Sequence, residues 1–159
     1  DAVIDNIKKY KQLCYGSDVS ITVRPAISAL SIGNYHTLLR FCLEEQLLIK
    51  SLIVTDPDYL NPAVLPWTVR NDYAIPYLQI LEQLKDVDID GDYNESDVSN
   101  YRLGVKQQAQ QIIMMLRNDP VRPGFEQLVD WCQRWDQVYG FNARDLYPEF
   151  IGSLTAYEY

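Results

Sequence analysis

The segment from Asp18 to Pro66 constrains the fold more than any other part of the chain. Residues 19–23 alternate and are rich in β-branched side chains, and residues 48–55 form a second β-branched run. Runs of this kind predict strands. Between them, residues 35–46 carry apolar side chains at helical spacing, which predicts a helix. Two strands joined by a helix predict a parallel pair with a right-handed crossover.

A parallel pair of strands is rarely a complete sheet, because parallel sheets need several strands and helices on both faces. No other run in the sequence predicts a third strand. We therefore expect the chain to be part of a larger α/β sheet, which a missing N-terminal half or a partner completes. An exposed sheet edge would also allow the chain to associate with itself.

The rest of the chain is predominantly helical. Apolar periodicity predicts four further helices, at about residues 2–14, 73–85, 100–117 and 125–139. We divide the chain into an α/β segment, residues 1–66, and a helical region, residues 67–159, and expect the two to form one compact domain. The predicted fold class is α/β, with a small parallel sheet and a crossover helix followed by a helical C-terminal region.

Charge and composition exclude several classes of function. The formal net charge is −8, from 14 basic and 22 acidic residues, and an acidic chain repels the phosphate backbone of nucleic acids. No apolar run approaches the roughly 18 residues that span a membrane, and the first residues lack the pattern of a signal peptide. We therefore predict neither a nucleic-acid partner nor a membrane partner.

The three cysteines are far apart in the sequence. None belongs to a CxxC pair, and none has a histidine at the spacing of zinc ligands. An odd number of cysteines without a disulfide framework favours a reducing, cytoplasmic setting. Cys42 and Cys132 fall on apolar helix faces, and we predict that they are buried as small hydrophobic residues.

An acidic segment between two predicted helices matches the spacing of a calcium-binding loop. Its pattern, D-x-D-x-D-G with a carboxylate at the twelfth position, is that of an EF-hand, in which hard oxygens hold the ion. The metal ligands that this pattern predicts are Asp86, Asp88, Asp90, Asp92 and Asp97. The twelfth residue is an aspartate where a bidentate glutamate is usual, and a solvated acidic linker is the alternative interpretation.

The predicted strand ends supply the candidate ligand-binding residues. Ligands in α/β folds bind at the carboxyl ends of parallel strands. We predict four residues there as ligand-binding: Arg24, Ser28, Thr55 and Asp56. An arginine at such a place can hold a carboxylate or a phosphate with two hydrogen bonds. A structural ion pair between Arg24 and the turn at residues 56–58 is the alternative.

The sequence contains no catalytic motif. It has no Ser/His/Asp order, no Gly-rich phosphate loop, no HExxH and no G-x-S-x-G. The single histidine, His36, stands at the start of the predicted crossover helix, where a capping or surface role is more common than catalysis. We therefore predict no catalytic residue in this chain.

Loose motifs across most of the chain are similar to those of one known family. The similar stretches are residues 23–30, 53–62 and 64–66, together with Trp135-Asp136 and residues 145–150. They resemble the C-terminal part of radical S-adenosylmethionine proteins, specifically the short twitch-type proteins common in phage and marine metagenomic sequences.

The resemblance implies a partial (β/α) barrel. Such proteins bind a 4Fe-4S cluster through a CxxxCxxC motif and use it to cleave S-adenosylmethionine to a radical. Cys14, Cys42 and Cys132 cannot supply that motif, and the Gly-Gly-Glu-type segment that contacts the methionine moiety is missing as well. Both would lie upstream of Asp1 in a full-length relative.

The resemblance therefore implies that this chain is a downstream half that is not catalytically competent alone and holds no cofactor of its own. It would form part of a barrel wall and part of a substrate pocket. The alternative interpretation is a non-enzymatic interaction module, with calcium bound at the acidic segment.

Overall fold

The computed structural model describes residues 2–17, 19–88, 100–118, 124–140 and 142. The helices within these ranges are α1 (Ala2–Cys14), α2 (Ile32–Glu44), α3 (Trp67–Gln83), α4 (Tyr101–Arg117) and α5 (Gly124–Tyr139). The strands are β1 (Thr22–Val23), β2 (Ala26–Ile27), β3 (Leu48–Ile49) and β4 (Leu52–Ile53). Two short 3-10 turns, Asp58–Leu60 and Pro62–Val64, connect β4 to α3.

The strands form a two-stranded parallel ladder. β1 pairs with β3, and β2 pairs with β4. The register is the same in both pairs, since Thr22 lies opposite Leu48 and Ile27 lies opposite Ile53. α2 lies between the paired strands in the sequence. The predicted mixed α/β fold with parallel pairing and a helical C-terminal region is confirmed, whereas the right-handed crossover stays a prediction.

Pro25 lies where the ladder is interrupted between the β1–β3 pair and the β2–β4 pair. The Lys50 N–H donates to the Val23 carbonyl at 3.0 Å and the Leu52 N–H donates to the Pro25 carbonyl at 2.9 Å, so bonding continues between the formal strands. Pro25 has no N–H and cannot donate the bond that the ladder requires from its position. β1 ends at Val23, directly before Arg24-Pro25 as the sequence predicts, and the pairing resumes beyond the proline at β2.

The two faces of the strand pair have different environments. Successive side chains point to opposite faces, which places Ile27 and Ile49 together on one face. Both are almost completely buried in the hydrophobic core. Ala26, Lys50 and Leu52 project from the other face and are exposed, and Leu52 retains 72 % of its accessible surface. Helices therefore cover one face of the pair, whereas the other face is exposed at Ala26, Lys50 and Leu52 and buried at Leu48.

α2, α3 and α4 pack together over the covered face. The buried side chains at their contact include Leu39 from α2, Tyr77 and Ile80 from α3, and Ala109 and Ile112 from α4. The Tyr77 hydroxyl also donates a hydrogen bond to the Ile32 carbonyl at the start of α2. The helical region is therefore joined to the strand pair by one continuous core.

α1 is attached to the rest of the fold mainly by polar contacts. The Nζ atoms of Lys8 and Lys11 lie 3.1 Å and 3.7 Å from the Glu45 carboxylate. Ile7 is half-buried against the core, and no residue of α1 is fully buried. The helix leaves several large apolar side chains exposed: Val3, Tyr10 and Leu13.

Candidate functional site

A groove lies at the carboxyl end of β4, between that strand and α4. Its volume is about 650 Å³. Ile53 and Thr55 line it on the strand side, and Asn61 and Ala63 line it from the 3-10 turns. The helix contributes the opposite wall, which consists of Gln107, Gln110, Gln111, Met114, Met115 and Asn118.

The helix wall of the groove is one face of α4. Gln107, Gln110, Gln111 and Met114 follow the i, i+3, i+4, i+7 spacing that aligns side chains along a helix. Met114 is 69 % exposed, whereas Met115 beside it is only 9 % exposed. The described residues that line the groove are neutral, so the groove presents side-chain amides and thioethers rather than charges.

The adjacent residue Gln108 binds the outer edge of the strand pair. The Ser51 N–H donates to its Oε1 atom at 3.0 Å, and the Ser51 hydroxyl donates to the same oxygen. Since the N–H groups of Lys50 and Leu52 bond the first strand, that of Ser51 points to the opposite edge. The Gln108 amide therefore stands where the carbonyl of a neighbouring strand would stand.

Of the four predicted strand-end ligands, Thr55 alone lines the groove. Arg24 directly follows β1, and β2 begins two residues later. Ser28 follows β2, and its carbonyl accepts the N–H of Ile32 at 3.0 Å, so it serves the start of α2. Asp56 is exposed in the turn after β4. The structure therefore distributes these residues over different surfaces.

The amides of α4 were not among the predicted ligands. The sequence shows the pattern, because glutamine stands at positions 107, 110 and 111 at helical spacing. An uncharged polar stripe is equally typical of a solvated helix face, so the pattern alone does not indicate a site. The single histidine makes a local contact, since His36 Nδ1 lies 2.9 Å from the Gly33 carbonyl one helical turn earlier.

The titratable groups with perturbed pKa values lie in the core and not in the groove. Burial raises the pKa of the Cys42 thiol to about 12. Burial, assisted by the nearby Asp136 carboxylate, raises the pKa of Cys132 to about 11. Nucleophilic cysteines have lowered pKa values, so these two are packing residues, as the sequence predicts.

The acidic segment is described only in part. Asp86 and Asp88 belong to the described residues, and three predicted calcium ligands lie outside them: Asp90, Asp92 and Asp97. The two Asp86 carboxylate oxygens accept hydrogen bonds from Arg102 Nη2, at 3.0 Å and 3.1 Å. In the described part of the chain, no three acidic, histidine or cysteine side chains are grouped so as to hold a metal ion.

We expect calcium to stabilise the protein no more than magnesium does. A calcium ion at Asp86 would compete with the Arg102 guanidinium for the carboxylate, and ligand binding raises the melting temperature only where it favours the folded state. Thermal unfolding in about 1 mM CaCl₂ or MgCl₂ should give melting temperatures within about 1 °C of each other. Arg102→Gln removes the guanidinium from the Asp86 carboxylate and should make any calcium effect on the melting temperature larger. A calcium-specific rise of several degrees, larger in Arg102→Gln, would establish the calcium-binding interpretation instead.

Comparison with protein-family models, with curated proteins and with solved structures found no match to this chain. Among the described residues, no helix combines the length and the apolarity that crossing a membrane requires. Any functional assignment therefore rests on the residues and on the geometry of the strand pair and its helices.

Proposed function

We propose that this chain is the C-terminal part of a radical S-adenosylmethionine-like protein and is not catalytically competent alone. The observation that carries the proposal is the strand pair, which has one face under helices and the other face exposed at Ala26, Lys50 and Leu52. In a (β/α) barrel, helices cover the outer face of the strands and the inner face lines the barrel interior. The face of Ile27 and Ile49 then corresponds to the exterior, and the face of Ala26 and Leu52 to the interior.

The outer edge of β1 and β2 is the place where the strands of an upstream half would pair. The carbonyls of Val23 and Pro25 bond the second strand, so the backbone groups of Thr22 and Ala26 point away from it. A further parallel strand at this edge would extend the ladder. The exposed apolar side of α1, which leads into β1, is a second surface that a neighbouring α/β unit would cover.

In such a barrel the chain would contribute cationic side chains to the interior. Arg24 and Lys50 lie on the exposed face, and the register of the flanking pairs places them opposite each other. Two adjacent cations suit an anionic group of a substrate, whatever contacts the two side chains already make in this chain. Ser28, Thr55 and Asp56 follow the strands and would lie near the mouth. The iron–sulfur cluster and S-adenosylmethionine would be held by the upstream half.

The coding DNA upstream of Asp1 tests this proposal directly. We expect an open reading frame that continues upstream and encodes CxxxCxxC. A start codon at or next to Asp1 would overturn the proposal and favour the non-enzymatic interaction module.

Co-purification of the chain with the upstream segment tests whether the upstream segment holds the cluster and S-adenosylmethionine. We expect iron, acid-labile sulfide and cleavage of S-adenosylmethionine in the combined protein, and none of them in the chain alone. Arg24→Ala should reduce substrate turnover without loss of iron, whereas Lys85→Ala, whose ammonium pairs with Glu82 at 2.7 Å on an exposed helix end, is the matched control. Equal turnover in the two variants would show that Arg24 does not contact the substrate.

A further inference from the structure

We propose that the groove between β4 and α4 binds an extended peptide segment, which adds to the strand pair through the backbone of Ile53 and Thr55. This inference is independent of the proposed function, since it uses the β3–β4 edge and not the β1–β2 edge. Addition of a strand to an open sheet edge is a common mode of peptide recognition, in which main-chain hydrogen bonds supply the affinity.

The backbone of β4 offers hydrogen-bonding groups to the groove. Leu52 and Val54 donate their N–H groups to the first strand, at 2.9 Å and 2.8 Å. Because the direction alternates along a strand, the N–H groups of Ile53 and Thr55 point to the outer edge. Within the described ranges of the chain, no group accepts a hydrogen bond from either of them. These two residues line the groove, so the donors face space that a ligand can enter.

The contact with Gln108 shows which kind of group can bind this edge. A side-chain carboxamide has the donor and acceptor groups of a peptide bond, and that of Gln108 receives the Ser51 N–H at 3.0 Å. Ser51 is two residues before Ile53, so both belong to the same edge of the strand, about 7 Å apart. At Ile53 the groove lies beside the strand edge. The carbonyl of an added strand would accept the Ile53 N–H there, as Gln108 Oε1 accepts the Ser51 N–H.

The opposite wall suits the other edge of an added peptide. The amides of Gln107, Gln110 and Gln111 both donate and accept, so they can bond the peptide groups that point away from β4. Met114 and Met115 are flexible and polarisable, which lets them adapt to different side chains. The neutral lining favours an uncharged backbone over a charged side chain. The volume of about 650 Å³ is within the usual range of ligand pockets.

Amide hydrogen exchange of the full chain tests the proposal. The probe is a pool of capped eight-residue peptides made of valine, threonine, serine and glutamine. We expect the pool to slow exchange of the Ile53 and Thr55 amides at least about fivefold, because strand addition turns open donors into bonded ones. The amides of Leu52 and Val54, which are already bonded, should change little and are the internal control. Unchanged exchange at Ile53 and Thr55 would overturn the proposal.

Two variants at one position separate backbone recognition from side-chain contact. Ile53→Pro removes the outward N–H and no ladder bond, and proline is tolerated at strand edges of this kind. Ile53→Ala removes most of the same side chain and keeps the N–H. We expect Ile53→Ala to bind the pool within about threefold of the native chain, and Ile53→Pro to bind at least about tenfold more weakly. Equal losses in the two variants would show side-chain binding and overturn the proposal.

N-methylated peptides keep the test decisive if Ile53→Pro does not fold. Alternate peptide nitrogens face opposite edges of an extended strand, so methylation of one alternating set blocks the edge that faces β4. We expect one methylated set to lose binding and the other to retain it. Equal binding of both sets would exclude strand addition. Peptide-independent dimerisation that Ile53→Pro abolishes would also overturn the proposal, in favour of edge pairing between two copies of the chain.

Discussion

The free energy of unfolding is expected to fall by about 3 kcal/mol as the pH rises from 8 to 10. Burial raises the pKa of Cys42 to about 12 and that of Cys132 to about 11, from a value of 9.0 for an unperturbed thiol. Between pH 8 and 10 the unfolded chain therefore releases about 1.5 protons that the folded chain retains. The stability due to these thiols is complete below pH 9 and is lost progressively as the pH rises towards 11 and 12. Burial also raises the pKa of Tyr35 and Tyr77, which act in the same direction at higher pH.

Urea unfolding of the reduced protein at pH 8, 9 and 10 measures this effect. Cys42→Ala and Cys132→Ala should each remove about half of the pH dependence, although both lower the stability at pH 8 by leaving a small void. Cys14→Ala is the matched control, because Cys14 lies outside the buried core. An unchanged pH dependence in the double variant would show that the two thiols are not its source.

Arg70→Ala is expected to lower the free energy of unfolding by about 3 kcal/mol. The Arg70 side chain is 0 % exposed, and its Nη1 atom donates to the Asn118 carbonyl at 2.6 Å. Asn118 follows the last residue of α4, where carbonyls have no partner within the helix and carry the negative end of its dipole. The guanidinium also lies 5.2 Å from the centre of the Trp67 ring. Alanine would remove these contacts together and leave a cavity.

Chemical denaturation of two further variants separates the contribution of the Arg70 side-chain volume to the free energy of unfolding from that of its hydrogen bond. Arg70→Met keeps most of the volume and should cost about 1–2 kcal/mol, which is the cost of a buried carbonyl that loses its donor. Arg40→Ala is the surface control, since its guanidinium bonds the Gln79 side chain at 3.1 Å in an exposed position, and we expect a change within about 0.5 kcal/mol. A loss for Arg70→Ala no larger than that for Arg40→Ala would contradict its role in fixing the end of α4.

The strand pair was predictable because its signals are local. Alternating β-branched residues on either side of a helical pattern indicate parallel pairing, and the structure confirms it. Pro25 correctly indicates the end of β1, but it does not show that the pairing resumes at β2. A proline removes one donor, but its carbonyl still accepts from Leu52, and the neighbouring pairs hold the register. The pairing on both sides of Pro25 is a tertiary property, which the local sequence does not show.

The start of α3 shows the same dependence on tertiary packing. The sequence predicts a helix from about residue 73, whereas α3 begins at Trp67, directly after Pro66. The Pro66 carbonyl accepts the Arg70 N–H at 3.0 Å, and Val69 and Arg70 are buried. The burial of this first turn favours the longer helix.

The groove was predictable only on its strand side. The rule that ligands bind at strand ends indicates Thr55, which lines the groove and whose role as a ligand stays a prediction. The opposite wall comes from α4, and the contact between Ser51 and Gln108 joins positions 57 residues apart in the sequence. A spacing rule within one segment cannot show which distant helix face meets a strand edge.

The loose attachment of α1 has a consequence for how the fold opens. A 13-residue helix is marginal in isolation, and α1 gains little from burial because only Ile7 lies against the core. Its two lysine–glutamate contacts are partly exposed, so dissolved salt screens them. At high ionic strength α1 would therefore detach while the strand pair and its covering helices remain folded. Its three lysines, Lys8, Lys9 and Lys11, would then be the first sites at which trypsin cuts the described fold.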